Sequence, residues 1–365
     1  MAPSNTPAPP ATAMEGGGAY NRSSTVQAAG LTPAVPWFTE AARLVPLGAP
    51  DLPLIVADYG SSQGRNSLGP LGAAIGVLRE RAGADRPISV VHADLPGNDF
   101  SALFETVATD PDSYLGGDAN IFPYAIGRSF YESLFPPGSV TLGWSSWAVQ
   151  WMSRAPAAVP DHIHHSRSAV ASVRADYARQ GAEDWRTFLT LRGRELRPGG
   201  RLVILLMALD EDGDFGFGPV MDHLQAALTK FVAEGLVAPA EHARMAIPTV
   251  GRSRADLLAP FAASRRFAGL EAVQVDTFTG ADPIWDAFEA TRDVEALALR
   301  WAAFTRAFAL PTFAAALDRT SVAGRAAAFG DRLEAELVKR FAAAPVRMPI
   351  TLGRVHLVKE EERCQ

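Results

Sequence analysis

The stretch Leu54-Ile-Val-Ala-Asp58-Tyr-Gly60-Ser-Ser-Gln-Gly64 decides the fold. Its first five residues are a short apolar run closed by an acid, the pattern of a buried strand. Two glycines in the next six residues mark a tight turn. Residues 68–81 then carry Leu71, Ile75 and Leu78 on one helical face. Strand, glycine turn and helix in that order open a βαβ unit. Glycines in such a turn let main-chain N–H groups approach a ligand, and the following helix N-terminus favours negative charge. The spacing is not Gly-x-Gly-x-x-Gly, which argues against a dinucleotide-dependent dehydrogenase.

Pro87-Ile-Ser-Val-Val-His-Ala-Asp94 is a second strand, and Asp94 closes it. A carboxylate there can accept from both hydroxyls of a ribose. Turn and acid together point to a nucleoside-containing cofactor on an open sheet. They equally fit a plain tight turn followed by an acid that caps the next helix, and the pattern alone leaves both readings open.

Further strands are expected over 120–126, 139–145, 201–208, 270–278 and 349–358, the third of these introduced by the turn Pro198-Gly-Gly200. Helical insertions are expected over about 157–196, 218–238, 254–267 and 283–344. In the last, Leu297, Trp301, Phe304 and Phe308 share a face. The fold class is therefore α/β, a mostly parallel sheet with an antiparallel last strand and a helical cap over the carboxyl ends of the strands, where open sheets bind ligands. Residues 1–13, uncharged and rich in proline, are expected to be a disordered tail, and 14–50 an N-terminal lid segment. The core is assigned to 51–156, 185–217, 268–280 and 345–360, and the cap to 157–184, 218–267 and 281–344.

The chain has 365 residues, 48% hydrophobic and 20% charged, which is ordinary globular composition. A net charge of −6 disfavours nucleic-acid binding by bulk charge. The single cysteine, Cys364, excludes an intrachain disulfide and a Cys-based zinc site. No apolar run is long enough for a membrane span, and no secretory leader is read at the N-terminus. A cytoplasmic protein acting on a small molecule, without nucleic acid or membrane, is the resulting expectation; the sequence leaves the oligomeric state open, a homodimer among the alternatives.

Longer segments sharpen this. Met14-Glu-Gly-Gly-Gly-Ala-Tyr20-Asn-Arg-Ser-Ser24-Thr-Val-Gln27, Ala57-Asp-Tyr-Gly-Ser-Ser-Gln-Gly-Arg-Asn66-Ser and Asp94-Leu-Pro-Gly-Asn-Asp-Phe100 with Leu103-Phe104 stand in order. Gly127-Arg-Ser-Phe-Tyr131, Ser145-Ser-Trp147, Trp151-Met-Ser-Arg-Ala-Pro156 and Pro198-Gly-Gly-Arg-Leu-Val203 follow. Together they resemble the SABATH family of S-adenosylmethionine-dependent carboxyl methyltransferases, from Met14 to about Phe261 and more weakly beyond.

The resemblance implies a Rossmann-like class I methyltransferase sheet with S-adenosyl-L-methionine as cofactor. Carried over residue by residue, it implies cofactor contacts from Tyr20, Ser24, Asp58, Gly60, Asn66, Asp94, Leu95, Ser129, Phe130 and Ser145. Asp94 would hold the ribose, Ser129 and Phe130 would frame the adenine, and Tyr20, Ser24, Asp58 and Asn66 would hold the methionine end. Gln27 and Trp151 match the family's clamp for the acceptor carboxylate, and both side chains are neutral donors. Trp147, Gln150, Val250 and Trp285 are expected on the substrate pocket, with Phe304 as a further aromatic; helix-packing core is the expectation for Trp301. The chain departs from the family's usual residues at Trp144, Trp147, Gln150, Val250 and Ser61. Most of these fall on the pocket wall, so the acid itself stays unnamed.

A carboxylic acid is ionised at neutral pH, so methyl transfer to it needs no general base. Methylation of a heterocyclic nitrogen, or a protein that binds cofactor without catalysis, are the alternatives. No metal site is expected. His162-Ile-His164-His165 reads as a solvated loop, Asp210-Glu-Asp-Gly-Asp214 as an exposed turn, and the serines of the glycine turn do not form a nucleophile elbow.

Overall fold

Alternate residues along the central strands are buried on opposite faces of one sheet. Val203, Leu205 and Met207 enter one hydrophobic cluster, and Leu202, Ile204 and Leu206 the other. Burial on both faces is the signature of a parallel sheet covered by helices, and it explains the unbroken apolar runs of the sequence. The computed structural model describes residues 12–318 and 324–361. Most of the proline-rich stretch and Cys364 lie outside these.

The strands are β1 (Leu54–Tyr59), β2 (Ile88–Asp94), β3 (Ile121–Gly127), β4 (Val140–Ser146), β5 (Leu196–Met207), β6 (Arg266–Phe267), β7 (Leu270–Thr279) and β8 (Thr351–Lys359). Their order across the sheet is β3-β2-β1-β4-β5-β8-β7-β6. Neighbours from β3 to β5 pair in parallel, while β8 runs antiparallel to both β5 and β7. The order reverses between β1 and β4, so a crevice is expected where these two strands end.

One face is covered by the helices Val35–Leu44 and Arg65–Ala82, through Phe38, Ala41, Leu68, Leu71, Ile75 and Leu78. The other packs on the helix Ala171–Glu195 through Trp185, Phe188 and Leu189. The stretch 14–50 thus divides: its later part, Val35–Leu44, is a layer of the sheet, and its earlier part lies at the carboxyl ends of the strands. Helix Ala171–Glu195 runs unbroken through the boundary drawn between 184 and 185. The helices Gly218–Ala233, Pro283–Thr291, Val294–Ala316 and Arg325–Ala343 form the cap, and Trp301, fully buried, is part of its core. Among the described residues no helix is long and apolar enough to cross a membrane.

Three local expectations are corrected. The helix expected over 254–267 is a short helix, Arg254–Leu258, followed by a turn containing Pro260 and then β6. Ala268 and Gly269, at φ 53° and 71°, make the two-residue hairpin into β7; positive φ at both turn positions matches the right-handed strand twist. Pro198-Gly-Gly200 lies inside β5, where the register to β4 shifts between Val140 and Leu142, with Gly199 at φ 72°. His164 is buried, not solvated: its ring stacks on Phe215, and Nε2 lies 3.1 Å from Thr249 Oγ1. Asp210–Asp214 is an exposed turn after β5.

Candidate active site

A cavity of about 250 Å³ opens at the carboxyl ends of β1 to β5. Gly60 and Ser62 reach it from the turn after β1, Asp94 and Leu95 from the end of β2, Ser129 and Phe130 from the loop after β3, and Trp147 from the turn after β4. Residues 12–14, Tyr20 and Gln27 close it from the N-terminal segment, and Phe304 and Phe308 from the cap.

The turn after β1 is shaped for close approach. Gly60 stands at φ 85°, and a side chain there would collide with Ala148. Gly60 N and Ser61 N both donate to Ala93 O, tying the ends of β1 and β2 together. Ser62, at φ 48°, is a non-glycine residue in the left-handed region, a strain of the kind that concentrates at ligand sites. Its N–H donates to Asp94 Oδ2 at 2.7 Å, and Leu95 N donates to Asp94 Oδ1 at 2.7 Å. Desolvation pushes the Asp94 carboxyl up to about 6 against the pull of those two N–H groups, with the Asp58 charge adding to the rise.

A nucleoside cofactor fits these residues. Each Asp94 oxygen keeps a free lone pair after accepting its main-chain bond. The hydroxyls of Ser61 and Ser62 are buried and have no partner among the described residues. The loop bearing Ser129 and Phe130 is held by Arg192, wholly buried, which donates to Phe130 O at 2.7 Å and Glu132 O at 3.0 Å and pairs with Glu195.

The remaining expected cofactor residues stand behind the wall. Ser24 Oγ donates to Asn66 Oδ1 at 3.4 Å, and Asn66 is in hydrogen-bond reach of Tyr20, whose phenol is raised by burial and by the Asp94 charge. Asp58 is buried and bonded to His92 rather than lining the cavity. Ser145, fully buried, donates to Tyr59 O at 2.8 Å and joins β4 to β1.

The acceptor end is apolar. Met152, Met207, Phe217, Met221 and Ile247 join Trp147, Trp151 and Phe304. The amide of Gln27 has no hydrogen-bond partner among the described residues, and its Oε1 is buried. Gln150 Nε2 donates to Trp147 O at 2.6 Å. Trp151 is positioned from two sides: it bridges to Thr249, and its carbonyl accepts from Tyr131 Oη at 2.7 Å. Asp94 is the only Asp, Glu, Lys, Arg or His lining the cavity among the described residues.

Two expected pocket residues lie elsewhere. Val250 lines a second cavity, of about 240 Å³, beside His164 and Arg252. Trp285 packs on Phe288 in the cap helix Pro283–Thr291. Sequence reasoning missed Ser62, Met152, Met207, Phe217 and Met221 as lining residues; only Ser62, in the glycine turn, carried a local signal. Among the described residues no group of three or more His, Cys, Asp or Glu is placed to hold a metal ion.

Comparison with known proteins identifies the family and the fold. The sequence profile of the SAM-dependent carboxyl methyltransferases matches residues 11–354. A methyltransferase of Gibberella fujikuroi, FUS9, is 27% identical over 67% of this chain and 65% of its own length. The salicylate carboxymethyltransferase of Clarkia breweri is 29% identical over 53% of this chain and 56% of that protein. The matches to these relatives thus span less than two thirds of their length. Among solved structures, a loganic acid methyltransferase with SAH superposes with a TM-score of 0.75 over 96% of this chain and all of that one, at 20% identity.

Proposed function

Because the chain belongs to the SAM-dependent carboxyl methyltransferase family, we propose that it converts a small aromatic or lipophilic carboxylic acid into its methyl ester. One observation carries the choice of acceptor. Apart from Asp94, assigned to the cofactor, the cavity is lined by no acid, lysine, arginine or histidine among the described residues. An acceptor that must lose a proton would find no base there. A carboxylic acid arrives ionised and needs none.

S-adenosylmethionine, when bound, supplies a methyl group on a positively charged sulfur. The chain's work is then positioning and desolvation. Asp94 accepts from the ribose hydroxyls, and the turn at Gly60–Ser62, its N–H groups spent on Ala93 O and Asp94, offers the cofactor the unpartnered hydroxyl of Ser62. Gln27 and the indole of Trp151 donate to the acceptor carboxylate and fix its direction. Neutral donors orient the anion without quenching it as an arginine would. Held in line, the reacting atoms gain the rate that orientation confers, and the walls of Trp147, Met207, Phe217 and Phe304 keep water from an anion that it would otherwise solvate strongly.

The test is a panel of aromatic, lipophilic and heterocyclic acceptors with labelled S-adenosylmethionine, read as methyl ester product. Gln27→Ala and Trp151→Phe are each expected to lower kcat/KM for the best acid by roughly ten- to a hundredfold, with cofactor affinity little changed. Normal turnover in both, or a heterocycle that outcompetes every acid, defeats the carboxylate reading.

A further inference from the structure

His92 lies outside every motif considered so far, yet it occupies a decisive position. It sits on β2 directly opposite Asp58 of β1 in the parallel register, and the two side chains are 0% and 1% exposed. His92 Nδ1 lies 2.9 Å from Asp58 Oδ2, and Nε2 lies 2.9 Å from Tyr114 Oη. The carboxylate can only accept, so Nδ1 carries the proton in that bond. Tyr114 is itself buried and stacks on the imidazole, with ring centroids 5.8 Å apart. The result is a chain of two hydrogen bonds across three segments.

Its place matters more than its strength. Asp58 precedes the turn that delivers Gly60 and Ser62, and His92 precedes Asp94 by two residues, so His92 and Asp94 share a face of the sheet. The His92–Asp58 bond therefore closes β1 on β2 immediately below the pair Ser62–Asp94, the contact that aims the cofactor-side carboxylate. A buried carboxylate left without a donor is strongly destabilised and forces its surroundings to rearrange. Here such a rearrangement would fall on the two strand ends.

We propose that His92 is a positioning residue of the cofactor site, holding the buried Asp58 carboxylate so that β1 and β2 present Ser62 and Asp94 in register. This rests on the reading of Asp94 as the ribose ligand. His92 acts on the cofactor only through Asp58, and Tyr114 fixes the ring from the far side.

Titration calorimetry of the full chain with S-adenosylhomocysteine tests it. His92→Leu, which leaves Asp58 unpaired, is expected to weaken binding at least tenfold. His92→Gln keeps a donor and is expected within threefold of the parent. In an Asp58→Asn background, where no charge needs a partner, adding His92→Leu is expected to change affinity less than threefold. A His92→Leu protein that binds like the parent overturns the proposal. So does an equal loss in both backgrounds, or a His92→Gln protein as weak as His92→Leu, since either outcome assigns His92 to packing alone. Should His92→Leu fail to fold, Tyr114→Phe, which removes one oxygen, is expected to weaken binding two- to fivefold, and unchanged binding overturns the proposal. Asp94→Ala separates the two readings. Binding that survives it defeats the ribose assignment and this proposal together, whereas its loss beside normal binding in His92→Leu defeats this proposal alone.

Discussion

The indole Nε1 of Trp147 donates to the main-chain carbonyl of Gln27 at 3.1 Å, joining the turn after β4 to the helix Thr25–Leu31. Trp147 is held at φ 55°, an unusual conformation for a large residue, by its own N–H to Leu205 O and by Gln150 Nε2 on its carbonyl. The ring fits under the helix because Gly30 has no side chain: a Cβ there would lie 2.7 Å from Trp147 Cζ2. Trp147→Phe deletes the bond to Gln27 while keeping an aromatic wall. It is expected to lower kcat/KM for the acid roughly fivefold to thirtyfold, about 1–2 kcal/mol, and to leave cofactor affinity within threefold. Steady-state kinetics beside a cofactor titration measures both. Equal loss of both quantities would show that Trp147 supports the whole site rather than Gln27.

The Asp94 carboxyl, pushed up to about 6 by burial, sets a pH limit on cofactor binding. The ionised form is the one suited to accept two ribose hydroxyls. Affinity is therefore expected to be constant above about pH 7 and to fall as pH drops through 6, approaching tenfold per unit below it. The measurement is S-adenosylhomocysteine binding between pH 5 and 8. An affinity flat down to pH 5 contradicts the assignment of this carboxylate.

Local sequence made some features readable and left others hidden for physical reasons. The glycine turn and Asp94 were legible because strand, turn and acid lie within a few residues and each has a stereochemical cause. The antiparallel β8 followed from its short link to the last cap helix. The hairpin Ala268–Gly269 was not, because a helical pattern read up to residue 267 concealed two residues at positive φ. His164 was misread because its partners, Thr249 and Phe215, are remote in sequence. The pocket wall was the least legible part. Met207, Phe217 and Met221 differ from core residues only in what faces them, and Val250 turns toward Gly181 instead, because Gly181 leaves room there.

Buried neutral histidines are expected to make the fold acid-labile. Burial lowers His165 and His356 to about 4 and holds His164 well below its ordinary value. In the unfolded chain these groups titrate near 6.5. Between about pH 6.5 and 4 the unfolded state thus binds more protons, and stability falls as pH falls. Asp94, raised above its unfolded value, works in the opposite direction over part of that range. Burial lowers His162, His223 and His242 as well, so the histidines outweigh this carboxyl and stability is expected to fall between pH 7.5 and 5. Urea denaturation at pH 7.5, 6 and 5 measures it; a midpoint unchanged across that range contradicts the burial of the three rings.

The last prediction concerns closure of the site. Glu15 is tied to both sides of the cavity: its N–H donates to Ala307 O and its carboxylate takes Arg306 Nη2 at 3.0 Å, while its carbonyl accepts from Gln63 Nε2 at 2.9 Å. Thr12 Oγ1 lies 3.0 Å from Thr312 Oγ1, and Gly17 N donates to Asp99 Oδ2 at 2.9 Å. Residues 12–20 thereby cross the cavity from the cap helix Val294–Ala316 to the glycine turn, covering it with Met14 and Tyr20. A substrate that enters past this strap requires it to lift, and its return would exclude water. Arg306 also binds Asp331 and Glu334, so Arg306→Gln removes a cation that holds three carboxylates. Each of these contacts is partly exposed and individually weak, so the effect on global stability is expected to stay within about 1–2 kcal/mol. Local opening is expected to change more. Amide exchange of residues 12–20 should become at least fivefold faster, and kcat/KM for the acid should fall roughly fivefold to twentyfold, mainly through KM. Glu15→Gln, which spares the other two pairs, should give a smaller change in the same direction. Exchange rates equal to those of the parent in both variants would mean that the strap is held by its main-chain bonds alone and that Arg306 has no part in closing the site.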